Sequence, residues 1–277
     1  MIEVDQSLSF NRALVEKYDR PGPRYTSYPT APQFHQAFAL DDYHAAAQAS
    51  NQAAAPKALS LYIHIPFCKS LCYYCACNKI ITQKTHRAVE YLNYLKREIA
   101  MQAALFDRTR TLRQLHLGGG TPTYLTREQL AELMDCLHQA FNLDDSDEHE
   151  FSIEVDPRTI STEQIEHLRQ LGFNRLSFGV QDFDPDVQAA VNRQQSEEQI
   201  YALVAAARAA QFKSVSVDLI YGLPLQTVAS FDVTLSKIIA LRPDRIAAYS
   251  YAHLPELVRA QRLIRRLCDQ CKSPYHA

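Results

Sequence analysis

Six short apolar runs punctuate the chain at residues 59–65, 113–117, 150–155, 175–180, 214–220 and 245–250, each rich in Val, Ile, Leu, Phe or Tyr. Helical spacing fills the gaps between them, at about 84–105, 126–141, 161–171, 185–211 and 229–240. Strands that alternate with helices of this length pair in parallel, because parallel neighbours need a long return path. The pattern predicts an α/β fold: a partial (β/α)6 barrel or a strongly curved open sheet. In either form ligands gather at the C-terminal ends of the strands. Those ends carry His64–Cys68, Gly118–Thr121, Glu154–Asp156, Gly179–Gln181, Asp218–Gly222 and Tyr251–His253. Polar groups and glycines recurring at every strand end are what a shared active-site rim would look like.

The first of these ends holds the sharpest chemical signal. Cys68-x3-Cys72-x2-Cys75-x-Cys77 places four thiols within ten residues. Thiolates at x3 and x2 spacing can wrap one corner of an iron–sulfur cluster, each binding a different iron. A cubane held by Cys68, Cys72 and Cys75 keeps its fourth iron open to a small molecule; a fourth thiolate from Cys77 would close that position. Zinc is the main rival, but structural zinc sites use two Cys pairs, and the second would have to be the distant Cys268-x2-Cys271. Disulfides are rare in chains that show no export signal. Cys136, inside the helical Leu133–Leu137, reads as a core thiol.

Bulk composition excludes more than it selects. With 277 residues, 47% hydrophobic and 22% charged, the chain can build a substantial core. A net charge of −2 gives no general attraction to nucleic acid or anionic membrane. No signal peptide or membrane-spanning stretch is evident, so a reducing, cytoplasmic setting is expected. Glycine is scarce, at seven residues, yet three stand together at Gly118–Gly120. A chain this sparing with glycine groups it where backbone must turn sharply or be closely approached. Residues 1–57 read as a loop-like arm followed by a helix at about 41–55, residues 58–253 as the core, and residues 254–277 as a separate tail.

Beyond the cysteines, the specific stretches are Gly22–Pro29, Cys75-Ala-Cys-Asn-Lys79, Gly118–Tyr124, Ser152–Pro157, Gly179–Phe183 and Asp218–Pro224. With them the chain resembles the radical S-adenosylmethionine superfamily and, within it, the oxygen-independent coproporphyrinogen III oxidases. The likeness runs from about residue 8 to residue 264. Residues 265–277 do not follow the family's continuation, so the chain is expected to be truncated before the family's C-terminal domain, with a non-native tail.

The resemblance implies a [4Fe-4S] cluster on Cys68, Cys72 and Cys75, with S-adenosylmethionine on the open iron. It implies a 5′-deoxyadenosyl radical that takes hydrogen from propionate side chains of coproporphyrinogen III, giving protoporphyrinogen IX with loss of carbon dioxide. An electron donor and a terminal electron acceptor are then required, and the protein is expected to be a monomer. Carried over residue by residue, Tyr62, Gly119 and Glu154 contact the cluster-bound S-adenosylmethionine. Tyr74, Gly120, Thr121, Gln181, Arg193, Asp218 and Ala252 contact a second molecule of it. Tyr62 and Cys77 are the catalytic candidates, although Cys77 reads equally as a small thiol beside the loop. Arg193 suits a carboxylate because its guanidinium binds both oxygens, but it reads equally as a solvated arginine at a helix end. Asp156 is expected to be a turn residue, and Arg24 either approaches a propionate or anchors the arm. A haem chaperone of the same superfamily would share the three cysteines but lack the Cys-x-Cys ending and the Gly-Pro-Arg-Tyr-Thr arm. A remnant that binds a cluster without catalysis is the other alternative.

Overall fold

The computed structural model describes residues 11–18, 30–146 and 148–252. Arg24 with the whole Gly22–Pro29 stretch, His253, the tail from residue 254 and Cys268 and Cys271 lie outside the described residues. Two compact units divide at Ser50 and Asn51. The first contains helices Arg12–Tyr18 and Leu40–Asn51, the latter ending at the boundary. The earlier of these stands where the sequence suggests a loop-like arm; Asn11 Oδ1 accepts from Leu14 N at 3.0 Å and starts the turn, and an Arg12–Glu16 pair spans it.

The larger unit is built on six parallel strands: β1 (Leu59–Ile65), β2 (Thr111–Gly119), β3 (Glu150–Val155), β4 (Arg175–Gln181), β5 (Ser214–Tyr221) and β6 (Arg245–Ser250). They lie side by side in chain order, with a two-residue strand, Asn142–Leu143, alongside the start of β2. The returns are made by α1 (His86–Ala103), α2 (Arg127–Ala140), α3 (Thr162–Gln170), α4 (Pro185–Ala190), α5 (Glu197–Ala209) and α6 (Val228–Leu241). This is the expected run of β/α units, all pairings parallel.

Alternate strand residues divide the sheet into two faces. Ile63, Ile65, Leu115, Leu117, Ile153, Phe178, Val215 and Val217 are buried with Leu92, Leu130, Leu133, Ile165 and Leu203 from the helices, forming one continuous core. Each such side chain, fully buried, contributes about 1.5–3 kcal/mol. The intervening positions are polar and line a cavity of about 480 Å³ on the opposite face, among them Tyr62, His116, Ser152 and Ser177.

One expected element is two. The span read as a single helix over 185–211 breaks between α4 and α5 because Asn192 adopts a left-handed φ of 54°. Ser196 Oγ then accepts from Gln199 N at 3.2 Å and starts α5. Among the described residues no helix is long and apolar enough to cross a membrane.

Candidate active site

The cysteine loop leaves the end of β1 and is closed at its base by backbone pairing of Phe67–Cys68 with Ile80–Ile81. Ile80 N donates to Pro66 O at 2.7 Å and Thr82 N to Cys68 O at 2.9 Å. Its far side is tied to the break between α4 and α5: Tyr73 N donates to Val191 O at 3.0 Å, and Asn192 Nδ2 to Leu71 O at 2.7 Å. The break in the helix is therefore what anchors the loop. Cys68 and Cys72 are buried, Cys75 half-buried and Cys77 exposed, all as free thiols.

Donors converge on the sulfurs. Thr121 Oγ1 lies 3.4 Å from Cys68 Sγ, while Arg158 Nη2 and Arg193 Nη1 lie 3.5 and 3.6 Å from Cys72 Sγ. The two arginines share Asp156: Arg158 Nη2 reaches Oδ2 at 2.7 Å and Arg193 Nη1 at 3.2 Å. Burial works against the Asp156 carboxylate, but the two guanidiniums outweigh it and hold its pKa below the usual range. Asp156 is also the expected turn residue, since its Oδ1 accepts from Arg158 N at 3.0 Å. Arg193 is buried, which excludes the solvated reading. Its Nη2 donates to Gly179 O at 2.7 Å, and its Nε is buried without a partner. Around Cys75, a hydrogen bond from Cys77 and the nearby Lys79 ammonium bring the thiol down to about 6. The same Cys75–Cys77 hydrogen bond pushes Cys77 up.

Among the described residues, no three His, Cys, Asp or Glu side chains converge tightly enough to hold a single metal ion. The thiols fit a larger group, one iron to each sulfur. The neighbouring backbone is cleared to match: a Cβ on Gly120 would stand 2.7 Å from Pro66 O and 3.0 Å from Cys68 Sγ. At Gly119, with φ of 118°, a Cβ would meet the His64 ring at 2.8 Å.

The second half of the site lies on the cavity face. Glu154 Oε2 accepts from Gly119 N at 3.1 Å, and Oε1 meets His116 Nε2 at 3.2 Å. His116 is held from behind by Ser152 Oγ at 2.6 Å and stacks on the Tyr62 ring at 5.7 Å between centroids. Tyr62 OH meets His64 Nδ1 at 3.0 Å, and burial with the Glu154 charge raises its pKa. Asp218, opposite Gly179 in the register, is raised to about 6 by burial and then by Glu154, with Ser177 Oγ donating at 3.3 Å.

The structure thus groups the predicted residues in two sets. Tyr62, Gly119, Glu154 and Asp218 gather around the Glu154 carboxylate at the strand ends, while Cys68, Cys72, Tyr74, Gly120, Thr121 and Arg193 gather at the loop. Gln181 joins them through a β-bulge: it has φ of 69°, and its Nε2 would crowd a Cβ at Gly179. Ala252 follows β6 and is exposed. Arg158, Lys79, His64 and His116 are contributors that motif reading did not assign. The two histidines were accessible through parity, since they share a sheet face with Tyr62 and Glu154.

A radical SAM superfamily model matches residues 62–238. The chain is 49% identical over 268 residues to the oxygen-independent coproporphyrinogen III oxidase of Pseudomonas aeruginosa, covering 97% of this chain and 57% of that one. It is 50% identical over 263 residues to the enzyme of that name from Escherichia coli K12, covering 94% and 55%. The solved structure of the Escherichia coli coproporphyrinogen III oxidase, described as a radical SAM enzyme, superposes with a TM-score of 0.82 at 48% identity, over 93% of this chain and 56% of that one. The chain therefore spans a little over half the length of these relatives. The matched region contains both the cysteine loop and the strand-end site, and the chain belongs to the radical SAM superfamily.

Proposed function

We propose that this site serves the oxygen-independent oxidative decarboxylation of coproporphyrinogen III to protoporphyrinogen IX. The observation that carries the reading is the meeting of a three-thiol loop with a side-chain-free Gly118–Gly120 backbone beside Glu154, on a chain about half identical to enzymes bearing that name. When bound, a [4Fe-4S] cluster with S-adenosylmethionine supplies one-electron hydrogen-abstracting chemistry, suited to converting a propionate arm to a vinyl group with release of carbon dioxide.

The chain's own residues have separate tasks. Cys68, Cys72 and Cys75 would hold three irons of the cluster, and Cys77 donates toward Cys75 rather than closing the set. Arg158 and Arg193 offset negative charge at Cys72, with Asp156 fixing both guanidiniums. Glu154 is positioned to accept from an amine or ribose hydroxyl, and Gly119 and Gly120 admit the ligand to the backbone. A second S-adenosylmethionine would meet Tyr74, Gly120, Thr121, Gln181, Arg193, Asp218 and Ala252. There Arg193 already serves Asp156 and Gly179 O, so it would turn its partnerless Nε to the newcomer. An electron donor and an electron acceptor complete the reaction, and the free thiols suit a reducing cytoplasm. The protein is assigned as a monomer acting on a small molecule, with no part played by nucleic acid or membrane.

Anaerobic reconstitution tests the reading. The chain should take up about four irons, lose this ability on replacing Cys68, Cys72 or Cys75 with Ala, and keep it in Cys77→Ala. Reduced protein should release 5′-deoxyadenosine from S-adenosylmethionine, and Glu154→Ala should slow that release with the cluster intact. Incubation with coproporphyrinogen III and an electron acceptor should yield protoporphyrinogen IX. Uptake of zinc in place of iron would sink the assignment.

A further inference from the structure

Barrel interiors of parallel β/α proteins are normally filled by Val, Ile and Leu. Here the inward positions of the strands are mostly polar, and charge differs along this face of the sheet. Beyond the C-terminal end of the cavity, on the same sheet face, stand the carboxyls of Glu154 and Asp218. At the N-terminal end stand Ser60, Gln114, Glu150, Arg175, Ser214 and Arg245. Glu150 is the one acid of this lower set, and it is already satisfied: Arg175 Nη2 donates to one oxygen and Gln114 Nε2 to the other at 2.9 Å, with Ser60 Oγ on Gln114 at 3.1 Å. That leaves one positive charge in excess. The Arg245 side chain makes no hydrogen bond or ion pair within the described residues, and Arg175 Nε is buried without a partner. An unsatisfied buried donor is costly, and a structural ion pair with Glu150 would need only one of these arginines.

We propose that this lower end is a carboxylate subsite, in which Arg175 Nε and the Arg245 guanidinium bind a propionate arm of the tetrapyrrole remote from the reacting one. The inference rests on the function proposed above and adds where the far side of the substrate is held. Register supports it. Arg175 pairs with Ser214, Arg245 with Ser216, and Gly179 with Asp218, so both arginines lie below the Asp218 level, on the two strands that flank β5. Four residues of strand separate Arg175 from Gly179, about 13 Å at the usual rise. A macrocycle carrying several propionate arms is of a size to bridge that interval, and guanidinium N–H pairs match a carboxylate bidentately.

The test uses coproporphyrin III, the stable oxidised form of the substrate, and its tetramethyl ester, titrated into the apo chain and followed by quenching of tyrosine emission. The chain has no Trp, and Tyr62 lines the cavity. Arg245→Gln and Arg175→Lys should each weaken the free acid about tenfold, the equivalent of one charge-assisted hydrogen bond, and leave the ester unchanged. Arg245→Gln breaks no contact of the folded chain and decides the matter if Arg175→Lys fails to fold. Unchanged affinity for the acid, or equal losses for acid and ester, overturns the subsite. If the parent binds and also cleaves S-adenosylmethionine while the variants bind as it does, the subsite alone is wrong. If the parent binds neither porphyrin, the substrate reading falls and the subsite with it.

Discussion

Replacing Arg193 with Met tests the buried charge cluster that ties the cysteine loop to the barrel. The guanidinium is buried and bridges Asp156 Oδ2 at 3.2 Å, Gly179 O at 2.7 Å and Cys72 Sγ at 3.6 Å. Removing one partner of a buried ion pair costs about 3–5 kcal/mol, because the other charge is left in low dielectric. Here the lower figure applies, since Arg158 still binds Asp156 through Nε and Nη2. For a unit of this size about 3 kcal/mol lowers the melting temperature by roughly 6–12 °C. Asp156→Asn removes the stranded charge, so it should cost much less in the Arg193→Met background than in the parent. The pH dependence carries a sign. Asp156 has a folded pKa below the usual carboxylate range, so the stability from its ionisation is complete above about pH 4 and is lost as pH falls through the lower folded value. The gap between parent and Arg193→Met should hold steady from about pH 5 to 8 and narrow below about pH 4. Thermal melts of the apo chain over this range measure it. Equal costs for Asp156→Asn in both backgrounds would show that the residues are not coupled, and would refute the reasoning.

Two further outcomes are expected. Gly120→Ala should destabilise by about 1–3 kcal/mol and reduce iron uptake, because the new methyl meets Pro66 carbonyl backbone that cannot yield and displaces Cys68 Sγ; normal uptake with normal melting would contradict this. Asp218→Asn should raise the melting temperature of the apo chain at pH 8. Its carboxyl, held at about 6, must ionise in the folded cavity, so the gain should be full above about pH 6 and vanish below about pH 4; a gain independent of pH would refute it.

The strands were legible because their apolar content is a consequence of burial against helices, and all six runs fall where residues 59–65, 113–117 and their successors predicted. The cysteine loop and the glycine triplet were legible because their spacing is itself the geometry. Arg193 was legible only through the resemblance. From its own residues it reads equally as a solvated arginine at a helix end, and only the left-handed Asn192 turns it inward. Asn192-Arg193 followed by Ser196-x-x-Gln199 was the available sign of that break. Arg158 was hidden, since its contact with Cys72 spans 86 residues and depends on the turn that Asp156 caps.

The division of each strand between an apolar and a polar face separates two kinds of selection. Outward positions such as Leu117, Ile153, Phe178 and Val217 carry the packing, whereas inward ones such as Ser152, Ser177 and Ser216 support little of it. Inward residues can therefore drift with the shape and charge of a ligand while the scaffold stands. One sheet of this construction could pass from one substrate to another by changing every second residue, and the fold would record none of the history.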